Sequence, residues 1–325
     1  MEIVWRKRFK RILEMAKTPS LFAIGTPVID YFAKVQSGEF GALGLKRGST
    51  NHFLEGEKIG EMQKKLKIIA KVPGDNARNA CEGFSSLGGK TEYFGAVGND
   101  EDGKFFLDGL ERAKIGSLVG RISKHSTGRI IALIDEGFER TFAAYLGAGL
   151  ELEGKEIGRI GSADFFYTTS ITTSGKNKTA ETAKKALKNA KERGVRIAYS
   201  IESPKMAAEE KERIWEEVNE FADILFANEE ELKALGRNME EITSRVKIFC
   251  LKRGANGSEI YSEGKVVRIP AQEVESVIDT TGAGDWYAGG FLFGIGSGKN
   301  AKESGDIASK LASRIMGRLG ASLKY

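Results

Sequence analysis

Near the C-terminus three small residues and a carboxylate stand side by side, in the stretch DTTGAGDWYAGG that runs from Asp279 to Gly290. An apolar run follows, so the segment reads as a short strand end, a glycine turn and then a buried helix over about residues 284 to 294. A buried helix N-terminus presents unpaired backbone N–H groups and the positive end of the helix dipole. Gly282, Ala283 and Gly284 carry little or no side chain, so their amides can close around a phosphate or a developing oxyanion. Asp285, in the first turn, can then take a proton from an alcohol while those amides hold the phosphoryl group in transit. The plainer alternative is a glycine-rich turn whose aspartate merely caps the helix.

Other phosphate-binding patterns fail on spacing. The dinucleotide fingerprint GxGxxG requires a third glycine where Tyr287 stands. The stretch GFSSLGGKT nearly spells the P-loop GxxxxGK[ST], but the leading glycine is needed at Phe84 and stands one residue early, at Gly83. With only His52 and His125 in the chain, an imidazole-based hydrolase has little support. Proton transfer falls to a carboxylate.

The chemistry needs a scaffold, and 325 residues suffice for one large α/β domain with appendages. Forty glycines point to many tight turns and close backbone approaches. Apolar runs LFAIGTPVIDYFAKV, DFFYTTSI, VRIAYSI, DILFAN and VKIFCLKRG alternate with helical patterns at 75–87, 177–193, 205–221 and 229–236. Strands separated by helices build a mostly parallel, doubly wound sheet with helices on both faces. The stretches 28–54 and 127–146 lack intervening helices and are expected to form a small projecting β-sheet, with a hairpin around Glu136 and Gly137. Such a sheet makes a natural lid.

Fifty basic against 45 acidic residues leave a net charge of +5, spread along the chain, which gives no nucleic-acid footprint. No apolar run approaches the ~18 to 20 residues of a membrane span. The first residues lack a secretory signal's apolar core. Cys81 and Cys250 form neither a disulfide framework nor a metal cluster, which fits a reducing, cytoplasmic setting. Residues 1–17 read as a basic amphipathic helix, expected to dock on its own domain or a sister subunit, so that 1–20 form an extension and 21–325 the main domain.

From about Leu21 onward the chain resembles the ribokinase/phosphofructokinase-B carbohydrate kinases, which include the adenosine kinases. Two segments in register carry the resemblance: DTTGAGDWYAGGFL and the earlier PGDNARNACEGFSSLGGKTEYFGAVGNDEDG. The resemblance implies a ribokinase-like fold with a β-sheet lid, and transfer of the γ-phosphoryl of a nucleotide, ATP with Mg²⁺, to an alcohol. By motif it makes Asp285 the base and Gly282, Ala283 and Gly284 the anion hole.

Further roles transfer singly. FANEEEL matches the family's Asn-x-x-Glu, so Asn228 and Glu231 would organise Mg²⁺ through water, although alone the pair is a helix cap. CLKRGANG is similar to the family's nucleotide-side glycine loop, giving Lys252, Arg253, Gly254 and Gly257. AIGTPVIDYF resembles the opening strand, with Asp30 accepting from substrate hydroxyls. GDNARNA supplies Gly74, Asp75, Asn76 and Asn79 near the same hydroxyls. Asp75 replaces the second of the family's two hinge glycines, a departure that bears on lid closure and acceptor preference. The lid pattern lies nearest the adenosine-kinase branch, so the expected acceptor is a nucleoside, with Phe138, Phe142 and Tyr145 as candidates for its base. A sugar or cyclitol kinase, a metabolite-sensing relative without turnover and a nucleotidyl transferase stay open as alternatives. The resemblance also implies a homodimer through the lid.

Overall fold

A computed structural model describes residues 18–48, 50–51, 54–137 and 139–323. The amphipathic segment 1–17, His52 and Phe138 lie outside the described residues. The main sheet is built from β1 (Ser20–Ile24), β5 (Lys90–Gly98), β6 (Gly116–Ile122), β9 (Phe165–Thr169), β10 (Arg196–Ser200), β11 (Ile224–Asn228), β12 (Ile248–Lys252), β13 (Ser258–Ser262) and β14 (Lys265–Ile269). Their order is β14-β13-β12-β11-β10-β9-β1-β5-β6, parallel from β12 to β6 and antiparallel at the β13–β14 edge. The chain winds outward from β1 through β5 to β6, then from β9 through β12 in the other direction. The reversal falls between β1 and β9, where the strands' C-terminal ends open a crevice.

Alternation along the strands divides the core between two helix layers. Leu21, Ala23, Phe165, Tyr167, Phe226 and Cys250 face the layer that holds helices Asn76–Ser86, Ala283–Gly296 and Ala301–Met316. Phe22, Phe166 and Ile197 face helix Lys178–Glu192, while Tyr199, Leu225 and Phe249 face helix Lys211–Phe221. Helix Ala283–Gly296 is wedged between its two neighbours and buries Trp286, Ala288, Phe291 and Leu292. Its glycines permit that depth: a β-carbon on Gly289 would collide with the Ala80 carbonyl, and one on Gly290 would come 3.0 Å from the Ala308 α-carbon.

The small sheet contains β2 (Val28–Lys34), β3 (Thr50–Asn51), β4 (Ile68–Gly74), β7 (Thr127–Ile134) and β8 (Arg140–Gly147), in the order β3-β8-β7-β2-β4. β7 and β8 are the antiparallel hairpin around Glu136 and Gly137. Within 28–54, however, β2 and β3 do not pair with each other: β2 lies between β7 and β4, while β3 runs beside β8. β4 comes from outside both stretches expected to supply this sheet. The opening apolar run also divides, because Gly25-Thr26-Pro27 interrupts it and sends β1 to the main sheet and β2 to the small one. A strand end expected just before the 279–290 motif is absent: residues 270–279 form no strand.

Candidate active site

Parallel strands whose C-terminal ends share one edge deliver side chains to one place. Thr26 follows β1, Ile171 follows β9, Glu202 follows β10, Asn228 ends β11 and Lys252 ends β12. The 279–285 turn crosses in front of them. Gly282 takes φ +76°, a left-handed value, and caps helix Ala283–Gly296; a β-carbon there would strike Ala321. Asp279 braces the turn, its carboxylate accepting from the amides of Thr281 (2.7 Å) and Gly320 (2.9 Å). Of the three amides expected to bind an anion, that of Ala283 donates to the Thr280 carbonyl at 3.2 Å. The expectation of three open amides is corrected at Ala283, whose N–H closes the turn on itself.

Asp285 is 2% exposed. Asn79 Nδ2 donates to it at 2.9 Å and Asn76 Nδ2 at 3.2 Å. Burial raises its pKa well above the usual carboxylate range and the Glu202 charge raises it further, while Asn79, Lys252 and Asn76 pull the other way. Asn76 and Asn79, expected at substrate hydroxyls, therefore hold the carboxylate of Asp285. Asn76 also donates to Glu202 Oε2 at 3.1 Å.

Two cavities meet at this turn. One, of about 380 Å³, is lined by Asp30, Asn76, Asn79, Glu202, Gly282 and Asp285, with Phe32, Ile130, Phe142 and Met206 as an apolar wall. The other, of about 580 Å³, is lined by Lys252, Gly254, Gly257, Val277, Ala283 and Gly284, with Ala271, Val274 and Met316 farther along. Gly282 and Asp285 thus face one cavity, Ala283 and Gly284 the other. Lys252 reaches the turn from the second cavity, which it lines with Gly284: a β-carbon on Gly284 would lie 2.9 Å from its Nζ. Burial disfavours the Lys252 ammonium, but Glu231, Glu202 and Asp285 overcome that and hold its pKa above the ordinary lysine value.

Asp30 lies in the first cavity beside Gly74, whose missing side chain leaves room for the carboxylate. Burial, followed by the charge of Asp279, lifts the Asp30 pKa to about 7. A folded-state pKa above the unfolded value means that this group's contribution to stability is full in acid and is lost as pH rises through 7. Asp30→Asn, which cannot ionise, is accordingly expected to match the parent's melting temperature near pH 4 and to exceed it by a few degrees at pH 8. Thermal melts of both proteins across that range check it; a gap that does not widen with pH contradicts it.

Several expected residues are placed differently. Asp75 borders the first cavity, but its carboxylate accepts from the Thr26 amide (3.0 Å), the Arg78 amide (3.0 Å) and the Tyr93 hydroxyl (2.8 Å), so the protein itself takes up its oxygens. It holds φ +119°, a glycine-like conformation fixed by those three donors. Arg253 is a second correction: its guanidinium pairs with Glu229 (2.9 Å) and Glu259 (3.1 Å) and lines a separate groove, away from Gly254 and Gly257. Asn228 and Glu231 form a reciprocal cap, with the Glu231 oxygens accepting from the Asn228 backbone (2.7 Å) and side chain (2.9 Å). Burial raises Glu231 to about 7. Tyr145 packs against Gly56 rather than lining the cavity; Phe142 does line it, joined by Phe32.

Three residues escaped sequence reasoning. Glu202 carried a signal, since it directly follows an apolar strand run, and such strand ends are where α/β sheets place ligands. Asp279 opens the motif and could have been read as its brace. Arg140, on β8, carried none: it reaches across from the small sheet to Asp279 Oδ1 (2.5 Å) and Thr281 Oγ1 (3.2 Å).

The pfkB family carbohydrate kinase model matches residues 46–324. A probable fructokinase-5 of Arabidopsis thaliana is 27% identical, across 92% of this chain and 90% of its own. An adenosine kinase of Saccharomyces cerevisiae is 25% identical, across 94% and 97% respectively. Among solved structures, the adenosine kinase from Sinorhizobium meliloti superposes with a TM-score of 0.86 at 25% identity, covering 94% of this chain and 95% of that one.

Proposed function

The chain belongs to the pfkB family of carbohydrate kinases and is an ATP-dependent phosphotransferase acting on a sugar or nucleoside; we propose that its acceptor is a nucleoside, phosphorylated on a primary hydroxyl that Asp285 deprotonates. The observation that carries this reading is the 282–285 turn, which forms the shared wall of two cavities and holds a buried carboxylate on one side and bare backbone on the other. A donor and an acceptor that each fill one cavity would meet there.

In this reading the acceptor lies in the 380 Å³ cavity, with hydroxyls on Asp30 and its base against Phe32, Phe142 and Ile130. The volume is in the range of small-molecule pockets. Asn79 and Asn76 aim the Asp285 carboxylate at the reacting hydroxyl, and Asp285 accepts its proton. The amides of Gly282 and Gly284 and the Lys252 ammonium stabilise charge on the group in transit. The larger cavity suits a nucleotide, since Val274, Val277 and Met316 offer an apolar surface and the open backbone at Gly284 admits phosphates.

ATP would supply the γ-phosphoryl group and Mg²⁺ would neutralise its oxygens. Among the described residues no cluster of three His, Cys, Asp or Glu side chains is arranged to hold a metal. That fits a Mg²⁺ held mainly by phosphates and water, with Glu231, capped by Asn228, as the nearby carboxylate that orders the water. Arg140 latches the small sheet onto the turn, which would exclude water during transfer. The outer strand of that sheet, β4, exposes Ile69 and is the edge through which a homodimer would form.

A second reading, a sugar acceptor, is favoured by the polar end of the first cavity, where Asp30, Glu202 and Asp285 all present carboxylates. Coupled measurement of ADP release with adenosine, other nucleosides, D-fructose and D-ribose separates the two. Turnover highest with a nucleoside is expected; turnover confined to sugars would replace the nucleoside assignment, and binding without turnover of any acceptor would leave a sensor.

A further inference from the structure

Glu202 stands in the first cavity just past the end of β10, and the protein supplies a hydrogen bond to only one of its two carboxylate oxygens. Its Oε2 accepts from Asn76 Nδ2 at 3.1 Å, the same nitrogen that donates to Asp285 at 3.2 Å. Its Oε1 is buried and has no hydrogen-bond partner among the described residues. A buried carboxylate oxygen left unpaired is costly, so it calls for a donor supplied by something else. The cavity it borders is the acceptor's, not the nucleotide's: Glu202 lines the first cavity and is absent from the second.

We propose that Glu202 is a specificity-determining residue that accepts a hydrogen bond from a second hydroxyl of the acceptor, lying near the hydroxyl to be phosphorylated and distinct from those that reach Asp30. This rests on the kinase reading above and adds to it the residue that reads a second hydroxyl. The acceptor then carries hydroxyls that span the cavity from Asp30 to Asn76. Because carboxylates only accept when ionised, a hydroxyl fits this position and an ether oxygen or a carbonyl is repelled. Loss of that hydroxyl leaves Glu202 unpaired again, which is how a site built for a hydroxyl rejects its deoxy analogue.

The test pairs adenosine, D-fructose and D-ribose with their monodeoxy derivatives, comparing the parent protein with Glu202→Ala and Glu202→Gln. For one deoxy position the parent is expected to lose about tenfold to hundredfold in kcat/KM, and Glu202→Ala to show almost no such loss. Glu202→Gln should fall between them. Equal deoxy penalties in parent and variants overturn the proposal, as does a variant that alters only the Mg²⁺ requirement and leaves acceptor selectivity intact. Calorimetric binding of the same pairs is read without turnover. Selective binding that depends on Glu202 in a protein that transfers no phosphate would sink the kinase reading alone, whereas turnover with no such dependence would sink the Glu202 assignment alone. Because Glu202 also raises the pKa of Asp285, the acid limb of the rate profile should move to lower pH in Glu202→Ala.

Discussion

Asp285→Asn is expected to cut kcat by about 10²- to 10⁴-fold while leaving the affinities for both substrates within a few-fold of the parent. The substitution keeps the volume of the side chain and leaves Asn76 and Asn79 an oxygen to donate to, so the turn should persist. What disappears is the ability to accept a proton. The parent's own rate should fall as pH drops, because only the ionised carboxylate is a base. The limb should lie above the ordinary carboxylate range, since burial and the neighbouring Glu202 raise this pKa. Steady-state kinetics with ATP and an acceptor, alongside calorimetric binding of each, give the answer. A variant that turns over near the parent rate refutes the base assignment.

Lys252→Met should lower kcat by about 10²- to 10³-fold, the cost of removing one electrostatic donor from a transition-state site. The side chain acts in two ways. Its ammonium sits against Gly284, where charge on the transferring group would develop, and it also lowers the proton affinity of Asp285 and Glu231. Without it Asp285 holds its proton to higher pH, so the acid limb should shift upward. Raising the pH would then recover the part of the loss due to protonation and leave the part due to lost charge stabilisation. A pH–rate profile separates the two. Full recovery at alkaline pH would reduce Lys252 to a tuner of the base, and an unchanged profile would remove it from the site.

Much of this was legible locally. The turn at 279–290 is a contiguous device: small residues, a left-handed glycine and a first-turn carboxylate lie within one stretch of chain, so their types and order carry the arrangement. The parallel strands were legible for a similar reason, because burial on both faces leaves continuous apolar runs such as DILFAN. The long helical pattern over 205–221 predicts one helix, yet the chain breaks at Glu210 into Pro204–Glu209 and Lys211–Phe221. A helical period persists through such a break, so periodicity alone does not reveal it.

Lys252 and Arg253 show where local reading stops. Both are basic, adjacent and part of one motif, and neighbouring residues at a strand's end point to opposite sides. Which side faces the cleft depended on where β11 and the 279–285 turn lie, and only Lys252 was chosen. Asp75 likewise belongs to a motif aimed at a ligand, but Thr26 and Tyr93, distant in sequence, take its oxygens. By itself the sequence determined most of the main-sheet strands and helices, the glycine turn and the carboxylate in its first helical turn, since these depend on neighbours along the chain. The tertiary structure alone decided that Glu202, Arg140 and Lys252 converge on that turn and that Arg253 does not, because Glu202 and Lys252 are brought there by the order of the parallel strands and Arg140 by the small sheet folding over them, neither of which local sequence specifies.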